Sequence, residues 1–198
     1  MIPAIVLAAG RSSRFGRAKA LLPDEAGQPF AARLAASFKA GGAEGLVLVS
    51  RPDDEDLHRA IEPFFPFARI VENADPDRGQ LSSLLEALDA VDRPGVRGIM
   101  VTLVDMPLVQ PSTIARLRDV ALHGAATIVR PVHHGRHGHP VVFMRATFDA
   151  LRRADPSQGA KAVVRAHPVV DVAVDDRGVI EDVDTPDDYA RVFGRAPK

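Results

Sequence analysis

The residues best equipped for chemistry stand where apolar runs end. Ile5-Val6-Leu7 leads into Ala8-Ala9-Gly10-Arg11-Ser12-Ser13-Arg14-Phe15-Gly16-Arg17-Ala18-Lys19, where small residues precede and accompany four basic ones, with no acidic residue among them. Small side chains let backbone N–H groups approach phosphate oxygens closely, and Arg14 and Lys19 can add charge-assisted hydrogen bonds. The stretch is not a P-loop, because Gly16 is followed by Arg-Ala rather than Lys-Ser or Lys-Thr, and it fails the dinucleotide G-x-G-x-x-G spacing. A flexible polar loop with incidental arginines would have the same composition.

Carboxylates close two other runs. Asp105 follows Ile99 to Val104 directly, where it can ligate a hard cation such as Mg²⁺ or bond turn amides and cap the next helix. Asp182 and Asp184 are two apart in an extended segment and should face the same way. Asp184 or Thr185 before Pro186 also makes a good helix start. Gly79-Gln80-Leu81-Ser82-Ser83 opens a leucine-rich segment, so its small residues can cap a helix or leave room for a ring. Four of the seven histidines fall between His133 and His139. Imidazole suits a transition metal, but no cysteine assists, and a mobile loop near an anion fits better.

These groups need elements to hold them. Strands are predicted at Ile5 to Leu7, Leu46 to Val49, Arg69 to Glu72, Ile99 to Val104, Thr127 to Val129, Val141 to Met144 and Val169 to Val174. Helices are predicted over Phe30 to Lys39, Asp53 to Ile61 and Leu81 to Val91, from Pro111-Ser112, twice after Met144, and from Thr185-Pro186. Continuous apolar strands alternating with helices imply an α/β protein, a single three-layer α/β/α domain over residues 1–198 with a mostly parallel, Rossmann-like sheet. Ligands of such sheets sit beyond the carboxyl ends of the strands, where the strand order reverses.

Composition narrows the function. The chain has 198 residues, 46% hydrophobic and 26% charged, a net charge of −1 and no cysteine. Disulfides and thiolate metal sites are excluded, and a broad basic surface for nucleic acid is missing. The apolar runs are strand-sized, so no membrane span is expected. With no basic region ahead of the first strand, no signal peptide is read and the cytoplasm is the expected compartment. A local cationic loop on a near-neutral protein suits a small anionic ligand.

Five motifs in order, Leu7-Ala8-Ala9-Gly10 with Arg14, Gly16 and Lys19-x-Leu21-Leu22-Pro23; Gly79 with Ser83; Asp105-Met106-Pro107; Gly138-His139-Pro140; and Asp182-Val183-Asp184-Thr185-Pro186-Asp187-Asp188, resemble the molybdenum cofactor nucleotidyltransferase family. That family lies within the nucleotide-diphospho-sugar transferase fold, and the resemblance covers nearly the whole chain. The pattern is most similar to the cytidylyl branch, since the guanylyl branch usually has glycine where this chain has Ala9. The resemblance implies CTP (or another NTP) as donor, molybdopterin or another phosphorylated small molecule as acceptor, and a molybdoenzyme as the protein served. It implies Mg²⁺ on Asp105 and Asp184, supported by Asp182, with Lys19 and Arg14 on the triphosphate. Leu7, Ala8, Ala9, Gly10, Arg11, Ser12 and Ser13, with Gly79, Ser82 and Ser83, would surround the nucleotide, and His139 and Pro140 the acceptor. His133, His134 and His137 lie outside the family pattern. Other readings are a sugar-phosphate acceptor, GTP as donor, or a non-catalytic accessory protein; a nicotinamide oxidoreductase is disfavoured by the failed glycine fingerprint.

Overall fold

The computed structural model describes residues 1–10 and 15–196. Its strands are β1 (Ala4–Leu7), β2 (Leu46–Ser50), β3 (Ala68–Glu72), β4 (Gly98–Leu103), β5 (Ile128–His133), β6 (Arg136–His137), β7 (Val141–Met144) and β8 (Val169–Ala173). The helices are α1 (Phe30–Ala40), α2 (Glu55–Ile61), α3 (Gln80–Val91), α4 (Pro111–His123), α5 (Phe148–Arg152), α6 (Ala160–Ala166) and α7 (Pro186–Phe193). Strands β3, β2, β1 and β4 lie side by side in parallel; β7 then runs antiparallel between β4 and β5, and β8 pairs in parallel with β5.

Alternation along the strands sorts the core into two layers. Ala4, Val6, Leu46, Leu48 and Met100 pack with Phe30, Leu34 and Phe38 of α1, Leu57 of α2, Ile114 and Leu117 of α4, and Tyr189 of α7. Ile5, Val47, Val49, Ile99 and Val101 face Leu84 and Leu88 of α3, Phe148 and Leu151 of α5, and Val163 of α6. Each fully buried Leu or Phe contributes about 1.5–3 kcal/mol. The strands must therefore be apolar on both faces, and β2 is buried throughout. This is the three-layer α/β/α architecture that the strand–helix alternation predicts.

The main departure is in the histidine-rich stretch, which is not a loop. Strand β5 continues to His133 and turns back through β6, with His133 pairing Arg136. His134 (φ 46°) and Gly135 (φ 77°) both adopt the left-handed region that two-residue hairpin turns require. Strands β6 and β7 follow the same edge of β5, separated by Gly138-His139-Pro140, and the Gly138 N–H still donates to Pro131 O (3.0 Å). Pro131 and the glycines disguise this strand in the sequence.

Candidate nucleotide and metal site

β1 lies between β2 and β4, so the direction of winding reverses there. Leu7 pairs with Leu103, and the Val104 N–H donates to Leu7 O (3.1 Å). Ala8 to Gly10 and Val104-Asp105 therefore leave the sheet side by side. A third segment joins them through the Val183 N–H, which donates to the Asp105 backbone carbonyl (2.8 Å). Val183 is buried while Asp182 is exposed and Asp184 half-buried, as alternation in an extended segment requires. Thr185 and Asp188 form a capping box for α7, which leaves the Asp184 carboxylate available to the site.

Lys19 begins a short 3₁₀ turn, Lys19–Leu21, and brings its ammonium between two of these carboxylates. Its Nζ donates to Asp105 Oδ2 (3.0 Å) and to Asp184 Oδ1. Burial works against the lysine's charge, but the hydrogen bonds and charges of Asp184 and Asp105 outweigh it and hold its pKa above the ordinary value. Asp105 shifts upward as well. Burial is the largest cause, and the nearby charges of Asp184 and Asp182 reinforce it against the lowering effect of Lys19. One ammonium shared by two carboxylates leaves the buried one under-compensated. Consistent with this, Asp105 Oδ1 is buried without a hydrogen-bond partner among the described residues.

An orphaned carboxylate oxygen beside a second carboxylate is a fitting donor set for a hard divalent cation. Among the described residues no three His, Asp or Glu side chains converge as a metal cage. A cation on Asp105 and Asp184 would complete its shell with phosphate oxygens and water, as Mg²⁺ commonly does.

A cavity of about 370 Å³ opens at this point, lined by Leu7, Ala8, Ala9, Gly10, Lys19, Gly79, Ser83, Asp105 and Asp184. Gly79 caps α3 at φ 97°, a conformation costly for any residue with a Cβ. The helix thus starts at the cavity wall, with its N-terminal partial positive charge suited to an anion. Ser82 is not among the lining residues; its hydroxyl donates to Gly79 O (2.8 Å). Arg11, Ser12, Ser13 and Arg14 lie outside the described residues. Gln80, Pro76 and Leu103 also line the cavity, and Asn73 supports it from behind. Gln80 could have been found as the neighbour of Gly79; Asn73 gave no signal beyond its place after a strand.

His139 lines a second cavity of about 570 Å³ that shares Leu7, Gln80 and Leu103 with the first. Burial lowers the pKa of His139, although the Val101 carbonyl near Nδ1 (3.4 Å) opposes the shift. Lys161 and Arg165, one turn apart on α6, supply positive charge, as does Arg130 on β5. Arg130 Nε donates to Asp171 (2.6 Å), which holds that carboxyl below its usual range. The remaining histidines diverge. His137 lines the second cavity beside Arg130 and Asp171, whereas His133 turns Nδ1 to Val174 O (3.1 Å) and stacks edgewise on His134.

A mostly parallel sheet with its ligand-sized cavity at the β1/β4 reversal is the architecture of the nucleotide-diphospho-sugar transferase fold. The chain belongs to the MobA-like NTP transferase domain family, which it matches over residues 4–172. Rv0371c from Mycobacterium tuberculosis H37Rv is 33% identical and superimposes with a TM-score of 0.83 over 99% of this chain and 100% of that one. A manganese complex of Rv0371c superimposes with a TM-score of 0.77 at 32% identity, over 98% of each chain. The molybdenum cofactor cytidylyltransferase of Escherichia coli K12 is 26% identical over 95% of this chain and 93% of its own length. A probable molybdenum cofactor guanylyltransferase of Natronomonas pharaonis is 25% identical over 96% of both. The chain is thus a nucleotidyltransferase by family, and no helix among the described residues is long and apolar enough to cross a membrane.

Proposed function

We propose that the protein transfers a cytidylyl group from CTP to the terminal phosphate of a small acceptor of the molybdopterin class, with a divalent cation, expected to be Mg²⁺, on Asp105 and Asp184. The observation that carries this reading is the Lys19 ammonium lodged between those two carboxylates, while Asp105 Oδ1 stays buried with no partner among the described residues. The manganese bound to Rv0371c and the activity named for the E. coli relative support it. Bound there, the cation would neutralise phosphate charge and polarise the α-phosphate.

The chain's own groups do the rest by position and charge. Gly10, Gly79 and Ser83 surround the nucleotide, and the α3 N-terminus and Lys19 offset charge on its phosphates. Lys161, Arg165 and Arg130 draw the acceptor phosphate into the second cavity. An acceptor oxygen bonds to the α-phosphorus as the bond to the β-phosphate oxygen breaks, and the electron pair leaves with pyrophosphate. A phosphate monoester with a second pKa of about 6 is already ionised near neutrality, so no strong general base is needed. The neutral, buried His139 fits that economy.

The decisive experiment is a screen of four NTPs against phosphorylated acceptors, reading pyrophosphate release with Mg²⁺ or Mn²⁺. The guanylyltransferase relative makes GTP the competing donor. Ala9 is 4% exposed and lines the cavity, where a glycine would take up less space. CTP should exceed GTP by at least about tenfold in kcat/KM, which requires only about 1.4 kcal/mol. Ala9→Gly should shrink that ratio. A wild type that prefers GTP ends the cytidylyl assignment and leaves the nucleotidyltransferase assignment standing.

A further inference from the structure

Asn73 follows β3 directly and is 2% exposed, yet nothing in the proposed reaction uses it. Its own N–H donates to Ser50 O (3.0 Å), which fixes its backbone against β2. Its side chain then meets three groups. The Asp75 backbone N–H donates to Oδ1 (2.9 Å), and Nδ2 stands 2.9 Å from both Ser82 Oγ and Ser83 Oγ. A backbone N–H can only donate, so the amide oxygen must face Asp75 and the amide N–H groups must face the serines. Both serine oxygens therefore act as acceptors toward Asn73. The Ser82 hydrogen is used on Gly79 O (2.8 Å). The Ser83 hydrogen has no acceptor among the described residues, although Ser83 is 4% exposed and lines the nucleotide cavity.

We infer that Asn73 is a positioning residue that sets the polarity of Ser83, turning its hydroxyl into a fixed hydrogen-bond donor for an acceptor atom of the nucleoside. This rests on the nucleotide reading of the cavity. A hydroxyl usually chooses its role by rotating; here the amide takes one of its two acceptor sites and turns the hydrogen away from itself, toward the cavity. The site then discriminates by chemistry as well as by space, since a ligand offering a donor at that point would face a second donor.

The test is equilibrium binding, by calorimetry with Mg²⁺, of a non-cleavable α,β-methylene analogue of CTP and of inorganic triphosphate. Asn73→Asp keeps the shape and the acceptor for the Asp75 N–H but offers the serines an acceptor, so the Ser83 hydrogen turns inward. It should weaken the analogue at least about tenfold, the scale of one lost hydrogen bond, and leave triphosphate within about twofold. In a Ser83→Ala background the same change should alter analogue affinity by less than about threefold, because the residue it acts through is gone. A comparable loss in both backgrounds, or an equal loss for triphosphate, overturns the inference in favour of general repulsion or misfolding. Ser82→Ala and Ser83→Ala test it separately should the Asn73→Asp variant fail to fold: Ser83→Ala must cost clearly more, and equal costs overturn it. A wild type that binds the analogue with an additive cycle sinks this inference alone; one that binds neither probe sinks the nucleotide reading itself.

Discussion

At the scale of single residues, Lys19 holds together two carboxylates that would otherwise repel. Its removal should act in opposite directions on two measurements. Lys19→Ala should lower kcat/KM by about 10²–10³, as the loss of one preorganised donor does. The same variant should bind Mn²⁺ more tightly without nucleotide, because a cation no longer competes with an ammonium for Asp105 and Asp184. Near-normal turnover, or weaker Mn²⁺ binding by paramagnetic titration, would count against this account. His139 gives a pH prediction. Its folded pKa is depressed by burial below the ordinary 6.5, so the unfolded chain takes up a proton before the folded one does. The stability it contributes is present above 6.5 and is lost as pH falls toward the folded value. Between about pH 7.5 and 5.5 the wild-type Tm should therefore fall more steeply than that of His139→Gln. Parallel Tm–pH curves for the two proteins would refute it.

At the scale of elements, the break between β6 and β7 is set by close packing. A Cβ on Gly138 would stand 2.0 Å from Val179 O and 2.6 Å from Val179 C. These are backbone atoms and cannot rotate away. Gly138→Ala should cost more than about 3 kcal/mol in urea unfolding, and a loss under about 1 kcal/mol would mean that the segments slide apart freely. This region also marks where the sequence stops being legible. The parallel half of the sheet could be read because its strands are short apolar runs bounded by turns, Asp105 because it closely follows such a run, and Asp182 and Asp184 from their spacing two apart ahead of a helix start. The β5–β6 hairpin could not, because Pro131 and two glycines interrupt its apolar pattern and pairing across the sheet decides the matter. Asp105, Asp184 and Lys19 lie far apart in the chain and meet through sheet register and one backbone bond from Val183, which spacing cannot reveal. Asn73 and the α6 cations were hidden for a related reason, since their importance comes from what they adjoin.

At the scale of the whole molecule, α7 returns the chain to its beginning. Tyr189 and Phe193 pack on Phe30, and the Tyr189 hydroxyl donates to Pro23 O just after the Lys19 turn. The residues that would hold the metal thus depend on both ends of the sequence being folded together. The two cavities meet along Leu7, Gln80 and Leu103, and that shared wall shapes the proposed reaction. In a direct displacement without a covalent enzyme intermediate, donor and acceptor would sit on either side of it at once. Initial-rate plots against both substrates should intersect, and parallel lines would exclude a single displacement. The product of the proposed reaction would span both compartments and be tethered at two points, so it would lose its freedom of tumbling once and gain contacts twice. A catalyst built this way would hold its product more firmly than either substrate, and its pace would then be governed by how quickly it could let go.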